Sequence, residues 1–545
     1  MNGALADGAP DVDAGRLVRA SATVALGTLL SRVTGLLRVG ALAYAIGRAS
    51  LADTYNLANT TPNIVYELVI GGVLTATLVP LFVEHLERGD ERATSVVVTA
   101  VMTVLVALSA LAVLAAPLLA QLYTFRAPAA ERAAHEEVVT FFIRVFMPQM
   151  CFYGLTALAT AVLHARRRFV AAAYAPVLNN VVVIATLVTF AQVTSGSPSE
   201  WTDVRRIRDD TGLLLLLGLG TTAGIVAMAL VLVPAVRAAG VRLRVIFDWR
   251  HDALRRVARL SGWTAGYVIA NQIALLTVLV LASGRSGGVS AYQYAFIFFQ
   301  LPHGLFAVSI MTTITPELAR HAAARDDAGM IRAFSLGLRH LLVVVVPAAV
   351  AFVVLAQPLV AVLVRGGFSA EDARVTADTL QAMSIGLVPF SIYLYTLRGF
   401  YALQDTRTPF VVNSVENGLN IALALALFPS FGVQGLALAY AAAYAIAAVL
   451  AALMLRRRLG GIDGARVAQT GVRTLAGGAA LAMVAAPIAG AIGADTFTHA
   501  VTALGVAGAL GGGAAVATMA LLGTSELRAV AALLRRRTTP KASRV

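Results

Sequence analysis

Apolar stretches of about 20 residues recur along this chain of 545 residues and are separated by short polar segments. A helix of that length crosses the hydrocarbon core of a bilayer, which is about 30 Å thick. The pattern predicts fourteen spans: 20–47, 60–83, 94–122, 138–163, 171–192, 212–235, 260–283, 291–317, 338–364, 377–403, 410–428, 434–455, 471–492 and 500–522. The predicted fold class is therefore an all-α polytopic membrane protein.

The arginines between the spans predict the orientation of the chain. If both termini lie in the cytoplasm, the inside loops include Arg166–Arg168 and the seven arginines from Arg237 to Arg259. The inside loops then carry about three times as many arginines as the outside loops. Since cytoplasmic loops are enriched in basic residues, we predict that both termini are cytoplasmic.

The chain also contains an internal duplication. A shift of about 241 residues superposes Pro117 on Pro358, Pro148 on Pro389, Arg166 on Arg407, Phe169 on Phe410 and Asn179 on Asn420, and Pro62 matches Pro302 at a shift of 240. An even number of spans in each copy predicts two six-helix bundles in a parallel repeat, as in transporters whose halves rock against each other. The predicted segments are a cytoplasmic N-terminus (1–19), two bundles (20–240 and 241–458), two further helices (459–523) and a basic tail (524–545).

Composition excludes a soluble globular protein, because 58% of the residues are hydrophobic and only 13% are charged. The net charge of +14 is dispersed over short loops, which favours membrane orientation over nucleic-acid binding. The sequence has no Walker loop, no His/Cys spacing typical of a metal site and no nucleophile elbow. It predicts neither an enzyme nor a resident cofactor.

Two arginines, Arg32 and Arg38, lie well inside the first predicted span. A guanidinium that faces lipid at such a depth costs at least about 2.5–3.5 kcal/mol, so it usually faces water or a partner. One interpretation is a cationic cavity that binds an anionic substrate. The other is a buried ion pair, or side chains that reach a membrane boundary.

Other polar side chains extend the candidate binding surface. Asp53 precedes the predicted second span, and Asn63, Tyr66 and Glu67 follow within that span at helical spacing. Asp53 is either a substrate ligand or a helix-capping or loop carboxylate. Glu67 is a candidate to neutralise an arginine or to carry a coupling proton. Arg144 in span 4 and Arg398 in span 10 are further candidates for the cavity wall.

A polar face also appears in span 11, where Asn413, Glu416, Asn417 and Asn420 recur at positions i, i+3, i+4 and i+7. The simpler interpretation is hydrogen bonding between helices. The alternative is a set of oxygen ligands for a coupling cation, either Na⁺ or H⁺.

The sequence resembles a known family at two motifs. The order Ser31-Arg32-Val-Thr-Gly35-Leu-Leu-Arg38, then Asp53, Pro62-Asn63 and Val79-Pro80, resembles the opening of the MurJ/MviN family of lipid II flippases. The run Gly399-Phe-Tyr401-Ala-Leu-Gln404-Asp405-Thr-Arg407-Thr-Pro409 is similar to that family's junction between helices 10 and 11. The family belongs to the MOP exporter superfamily, and the resemblance covers almost the whole chain.

The resemblance implies that a lipid-linked disaccharide-pentapeptide is moved from the inner to the outer leaflet of the bacterial cytoplasmic membrane. It implies that Arg32 and Arg38 bind the diphosphate-bearing head group, that the last two helices hold the lipid tail, and that cell-wall synthesis proteins are partners. The chain departs from the family pattern where Tyr66 and Phe296-Ile297 replace charged residues of the cavity. Alternatives are a MATE-like or polysaccharide-lipid exporter, or a non-transporting scaffold for cell-wall assembly.

Overall fold

A computed structural model describes residues 14–71, 79–87, 90–166, 168–194, 201–241 and 243–527, and every long regular element in these ranges is a helix. The first half contains α1 (Ala14–Ile46), α2 (Ser50–Tyr66), α3 (Val79–Glu87), α4 (Glu91–Leu114), α5 (Ala116–Thr124), α6 (Arg132–Phe146), α7 (Gln149–Ala165), α8 (Val170–Val193), α9 (Val204–Ile207), α10 (Thr211–Leu230) and α11 (Leu232–Ala238). The second half contains α12 (Asp252–Ala282), α13 (Gly288–Pro302), α14 (Val308–Ala323), α15 (Asp327–Val354), α16 (Ala356–Ala361), α17 (Ala370–Ser384), α18 (Leu387–Ala402) and α19 (Arg407–Leu459). The chain continues with α20 (Gly464–Ile492) and α21 (Phe497–Leu521).

The helices agree with a polytopic membrane fold. In the described ranges, 11 helices are long and apolar enough to cross a bilayer, or 12 if the pair α17 and α18, bent by 46°, forms one span. That number counts α19 once, although α19 has 53 residues, and it leaves out α2 and α3, which flank the undescribed residues 72–78. Fourteen crossings are compatible with this arrangement.

The long helix α19 contains two predicted spans joined by a sharp turn. Gly432 interrupts it with non-helical angles (φ 57°, ψ −135°). A Cβ atom on Gly435 would lie 2.6 Å from the carbonyl oxygen of Leu427, whereas residues eight apart in a straight helix are separated by about 12 Å. The chain therefore folds back on itself at Gly432, between spans 11 and 12.

The helix that contains the start of the second predicted span begins at Ser50, ten residues before the predicted span at residue 60. The first turns of α2 carry Asp53, Thr54 and Asn56, which depress the local hydropathy. All three side chains are nevertheless buried, because they pack inside the protein rather than against lipid. Hydropathy alone therefore missed the beginning of this helix.

The packing of the two halves follows the predicted repeat. α1 packs on α8 in the first half, as α12 packs on α19 in the second, and α2 packs on α6 as α13 packs on α17. Pro62 and Pro302 both precede a π-helical turn, Glu67–Gly71 in one half and His303–Ala307 in the other. The segment boundaries remain predictions, and residues 1–13 and 528–545 lie outside the described ranges.

A stripe of small residues fixes the rotation of α1. A Cβ on Gly27 would lie 2.7 Å from a ring carbon of α8, and one on Gly35 would lie 3.7 Å from Asn180 Nδ2. Asn180 Nδ2 also donates to the carbonyl oxygen of Ser31 at 3.3 Å. Small residues allow this close approach of two membrane helices. With this face held against α8, Arg38 is directed toward the interior between the two halves.

A candidate transport cavity between the two halves

Arg38 lines a cavity of about 70 Å³ at the interface of the halves. Its walls include Asn59 and Tyr153 from the first half and Gln293 and Ile297 from the second. Among the described residues, no carboxylate oxygen lies within 4.0 Å of the Arg38 guanidinium. The group is half-buried and has no acidic partner there, so it is available to an anionic ligand.

Arg32 lies on the same helix and approaches the second half at another level. Its guanidinium nitrogen is 3.9 Å from the position that a Cβ on Gly304 would take. Gly304 belongs to the π-helical turn after α13, so Arg32 reaches across the boundary between the halves. The six residues that separate Arg32 and Arg38 correspond to about 9 Å along α1. The guanidinium groups of Arg32 and Arg38 therefore lie at two levels along the interface between the halves.

A second cavity, of about 410 Å³, adjoins the first and extends into the second half. Gln293 and Ile297 line both cavities. The second wall combines amide and carboxyl groups with aromatic rings: Asn271, Gln272, Gln300, Glu416, Asn417, Asn420, Tyr292, Phe296, Phe390, Tyr440 and Tyr444. The site is thus cationic on the first-half side and carries a carboxylate on the second-half side.

The polar face of span 11 contacts α12 through one residue that the sequence analysis missed. Asn413 Nδ2 and Asn417 Nδ2 both donate to Asn271 Oδ1, at 3.0 Å and 2.9 Å. Glu416 is 1% exposed, and its Oε2 atom has no hydrogen-bond partner among the described residues. In the same ranges, no cluster of three or more His, Cys, Asp or Glu side chains could hold a metal ion. The interhelical hydrogen bonds account for Asn413 and Asn417, and they leave the role of Glu416 open.

Asp53 lies outside both cavities and joins the two halves directly. The Ser290 N–H and Oγ–H groups both donate to Asp53 Oδ1, each at 2.8 Å. Ser290 Oγ accepts a further hydrogen bond from Asn56 Nδ2 at 3.0 Å. Because Ser290 is in the first turn of α13, the carboxylate also interacts favourably with the helix dipole. Asp53 therefore caps the N-terminal turn of a helix in the opposite half, instead of the start of its own helix as the sequence suggested, and its predicted role as a substrate ligand stays a prediction.

A second set of contacts closes the same end of the interface. Arg48 Nε donates to Asp372 Oδ1 at 2.9 Å, and Arg48 Nη1 donates to the carbonyl oxygen of Ser286 at 3.4 Å. The Tyr294 hydroxyl donates to the carbonyl oxygen of Gly47 at 2.9 Å. We refer to these contacts and the Asp53–Ser290 pair together as the seal. Sequence analysis missed Arg48, because its partner is 324 residues away and no local pattern connects them.

Three predicted residues of the second span are not part of the wall of either cavity. Asn63 Nδ2 donates to the carbonyl oxygen of Asn59 at 3.2 Å, and Tyr66 packs against Tyr153 with ring centroids 5.8 Å apart. Glu67 is half-buried in the π-helical turn. Among the described residues it forms no ion pair with an arginine, so the predicted neutralisation of Arg32 or Arg38 does not occur here.

Arg144 and Arg398 are not brought to these cavities. Arg144 is exposed on α6 and lines a separate pocket with Glu136 and Glu137. Arg398 is exposed on α18. Neither side chain compensates for the apolar Ile297 at the junction of the two cavities.

Comparison with known proteins identifies the family. A family model described as the lipid II flippase MurJ matches residues 42–505. This chain belongs to the MurJ lipid II flippase family. It is 32% identical over 432 residues to a probable lipid II flippase MurJ of Rhizobium meliloti, covering 78% of this chain and 77% of that protein.

Solved structures agree with the MurJ fold. A lipid II flippase MurJ in an inward closed conformation superposes with a TM-score of 0.71 at 19% identity, covering 93% of this chain and 99% of that one. An inward-facing multidrug resistance MATE transporter of the MOP superfamily gives a TM-score of 0.63 at 14% identity, covering 79% of this chain and 96% of that one. The family model and the curated relative confirm the predicted family, the solved structures show the same fold, and the chain is a multi-pass membrane protein of a transporter family.

Proposed function

We propose that this protein moves lipid II from the inner to the outer leaflet of the bacterial cytoplasmic membrane by alternating access. The observation that carries the proposal is Arg38, a cation in the wall of a cavity between two repeated halves that has no acidic partner in the described parts of the chain. A guanidinium binds two phosphate oxygens in a bidentate geometry, which suits a diphosphate-linked head group. Arg32, about 9 Å along the same helix, would bind a second part of the head group. Membership of the MurJ family supports this substrate.

The seal supports the proposed alternation. With both termini in the cytoplasm, α1 ends on the outer side of the membrane, so Arg48–Asp372 and Asp53–Ser290 close the outer end of the interface. Release to the outer leaflet then requires these contacts to break while contacts at the inner end form. The polyprenyl tail would lie along α20 and α21, whose outward apolar side chains Leu475 and Met483 are 61% and 72% exposed. Cell-wall synthesis proteins would supply the substrate on one side and consume it on the other.

We further propose that a cation drives the cycle through the polar face of α19, without any other cofactor. Glu416 Oε2 and Asn413 Oδ1 are buried atoms that lack hydrogen-bond partners among the described residues. A lone ionised carboxylate in a membrane interior is costly, so Glu416 gains stability from a bound proton or from Na⁺. Asn417 would contribute to the same site. Imposing a pH gradient or a Na⁺ gradient separately on reconstituted protein distinguishes the two ions.

The decisive experiment measures lipid II at the outer leaflet of cells depleted of this protein. We expect exposure to fall on depletion and to return with the wild-type gene, but not with Arg38→Ala. Arg38→Lys keeps the charge and loses the bidentate fork, so it should restore exposure only in part. Arg144→Ala, which removes an exposed arginine outside the cavities, is the matched control and should restore it fully.

Unchanged exposure in depleted cells that contain no second flippase would exclude lipid II transport. Normal growth with Arg38→Ala at normal expression would instead favour a non-transporting scaffold.

One observation favours a second candidate, an exporter of organic cations. Glu416 lies in a cavity lined by aromatic rings, and a carboxylate with aromatic faces is a suitable site for an ammonium or other organic cation. Such an exporter would lower the cellular level of a cationic dye without any effect on lipid II exposure. Dye efflux that is lost in Glu416→Gln, with unchanged lipid II exposure, would support this candidate over the flippase.

A further inference from the structure

The segment that joins the two halves carries an exposed apolar face. Between α11 and α12, residues 243–250 form what we name the linker strap, which contains no helix or strand. Leu243, Val245, Phe247 and Trp249 are 38%, 76%, 67% and 55% exposed, while Ile246 and Asp248 between them are half-buried. From Val245 to Trp249 the exposure alternates with a period of two, as in an extended chain whose apolar side faces outward. Arg244 and Arg250, which flank this stretch, are exposed as well.

The strap is held firmly at both of its ends. Val241 before it and Ala253 after it are 5% and 6% exposed, and both belong to the buried cluster around Leu158 and Val162 of α7. The His251 Nδ1 atom accepts a hydrogen bond from the Ala253 N–H at 3.2 Å, which caps the start of α12. The outward apolar face is therefore a fixed surface of the first half.

Hydrogen bonds to α4 define the level of the strap along the bundle. The Arg244 N–H donates to Ser95 Oγ at 3.2 Å, and the Ile246 N–H donates to Thr99 Oγ1 at 3.1 Å. Ser95 and Thr99 are four and eight residues after the first residue of α4, or about 6 Å and 12 Å along that helix. α4 begins with the charged residues Glu91 and Arg92, and from Ala100 to Leu114 it carries no charged residue and only two polar ones, Thr103 and Ser109. The strap thus crosses α4 where its surface changes from polar to apolar, which is the level of the lipid head groups.

The charge around the strap indicates which kind of surface the strap binds. From Arg237 to Arg259 the sequence carries seven arginines and only two acidic residues, Asp248 and Asp252. Arg244 and Arg250 are exposed, and neither has a carboxylate within 4.0 Å among the described residues. Tryptophan beside arginine at this level is typical of contact with anionic head groups.

We propose that the linker strap binds an anionic lipid surface, with Phe247 and Trp249 in the head-group region and Arg244 and Arg250 against lipid phosphates. This interaction is independent of what the protein transports. It fixes the linker to the membrane while the second half moves, so the first half becomes the anchored half of the transporter.

The test uses the fluorescence of Trp249 in the full-length protein. Of the three tryptophans, Trp201 and Trp263 are replaced by phenylalanine, which leaves Trp249 as the sole emitter. In vesicles of phosphatidylcholine and phosphatidylglycerol, we expect lipids brominated near the head group to quench Trp249 more strongly than lipids brominated near the chain ends. Each arginine near an anionic surface should give about fivefold local enrichment of phosphatidylglycerol at low salt. Brominated phosphatidylglycerol should therefore quench more than brominated phosphatidylcholine at the same mole fraction.

Two matched variants complete the experiment. Arg244→Gln with Arg250→Gln should abolish the excess quenching by phosphatidylglycerol and keep the shallow quenching. A protein with Trp263 as sole emitter, eleven residues into α12, should show no such excess. Equal quenching of Trp249 by both lipids would overturn the anionic selectivity. No quenching by either lipid would overturn the membrane contact and assign the face to a protein partner instead.

Discussion

The ion pair between Arg48 and Asp372 offers the sharpest test of the proposed alternation, because in the proposed cycle it must break when the outer end of the interface opens. Arg48→Gln removes the charge from one side, and Asp372→Asn removes it from the other. The asparagine can still accept the hydrogen bond from the Ser369 N–H, which Asp372 Oδ2 accepts at 2.9 Å in the capping box of α17. The substitution therefore isolates the ion pair from the helix cap.

The exposure and separation of the two side chains set the expected stabilisation of the sealed state. The two side chains are 16% and 17% exposed and 2.9 Å apart. Fully exposed ion pairs contribute about 0–1 kcal/mol, and hydrogen bonds to charged groups contribute about 1.5–3 kcal/mol. A pair of intermediate burial should stabilise the sealed state by about 1–2 kcal/mol. Either substitution should therefore lower the ratio of sealed to open molecules by a factor of about 5–30.

A distance measurement across the seal reports that ratio. Spin labels at Arg205→Cys on the first half and Arg374→Cys on the second occupy exposed positions, and Cys151→Ser removes the single native cysteine. Electron–electron resonance should show a longer-distance population that grows in Arg48→Gln. The control Arg466→Gln breaks an exposed ion pair with Asp463 at the start of α20, outside both halves, and should leave the distances unchanged.

The double variant tests whether the charges of Arg48 and Asp372 act as a pair. If the charges act as a pair, the combined effect of Arg48→Gln and Asp372→Asn on the free energy of opening should be clearly smaller than the sum of their separate effects. Arg48→Gln alone should have the larger effect, because it also removes the hydrogen bond to the carbonyl oxygen of Ser286. Additive effects, or no change in the distances in either single variant, would refute the assignment of this pair to the seal.

Three further predictions concern other sites. Asp53→Ala leaves the buried Ser290 N–H without its partner, so the sealed state should be destabilised by about 1–3 kcal/mol. The same spin labels should then report a larger open population, and an unchanged population would argue against a sealing role. Glu416→Gln keeps the side-chain volume and removes the ionisable oxygen, so transport by reconstituted protein should no longer respond to an imposed cation gradient; a wild-type response would exclude Glu416 as the coupling site. Gly432→Ala places a side chain on a residue with an unfavourable backbone conformation (φ 57°) and should destabilise the protein by about 1–3 kcal/mol, which a lower Tm would show. The control Gly418→Ala adds a Cβ atom where α19 has open space and should not lower the Tm.

The candidate site was only partly accessible from the sequence. Arg38 was detected because a guanidinium within an apolar span is expensive unless it faces water or a partner. Asn271 was missed, because a single amide in an apolar helix gives no such signal and its partners are more than 140 residues away. In the sequence, Arg144 and Arg398 qualify for the cavity wall for the same reason as Arg38, and only the packing of α6 and α18 directs these side chains away from the two described cavities.

The sequence by itself determined the membrane fold, the parallel repeat and the family. A bilayer imposes the same local requirement on every segment of about 20 residues, so hydropathy detects each crossing without knowledge of its neighbours. The tertiary structure alone decided which polar groups line a cavity and which join the halves. Asp53 and Ser290 are 237 residues apart, and their contact depends on how two helices rotate and approach each other. The packing between distant elements determines which polar groups meet, and no local pattern in the chain encodes that packing.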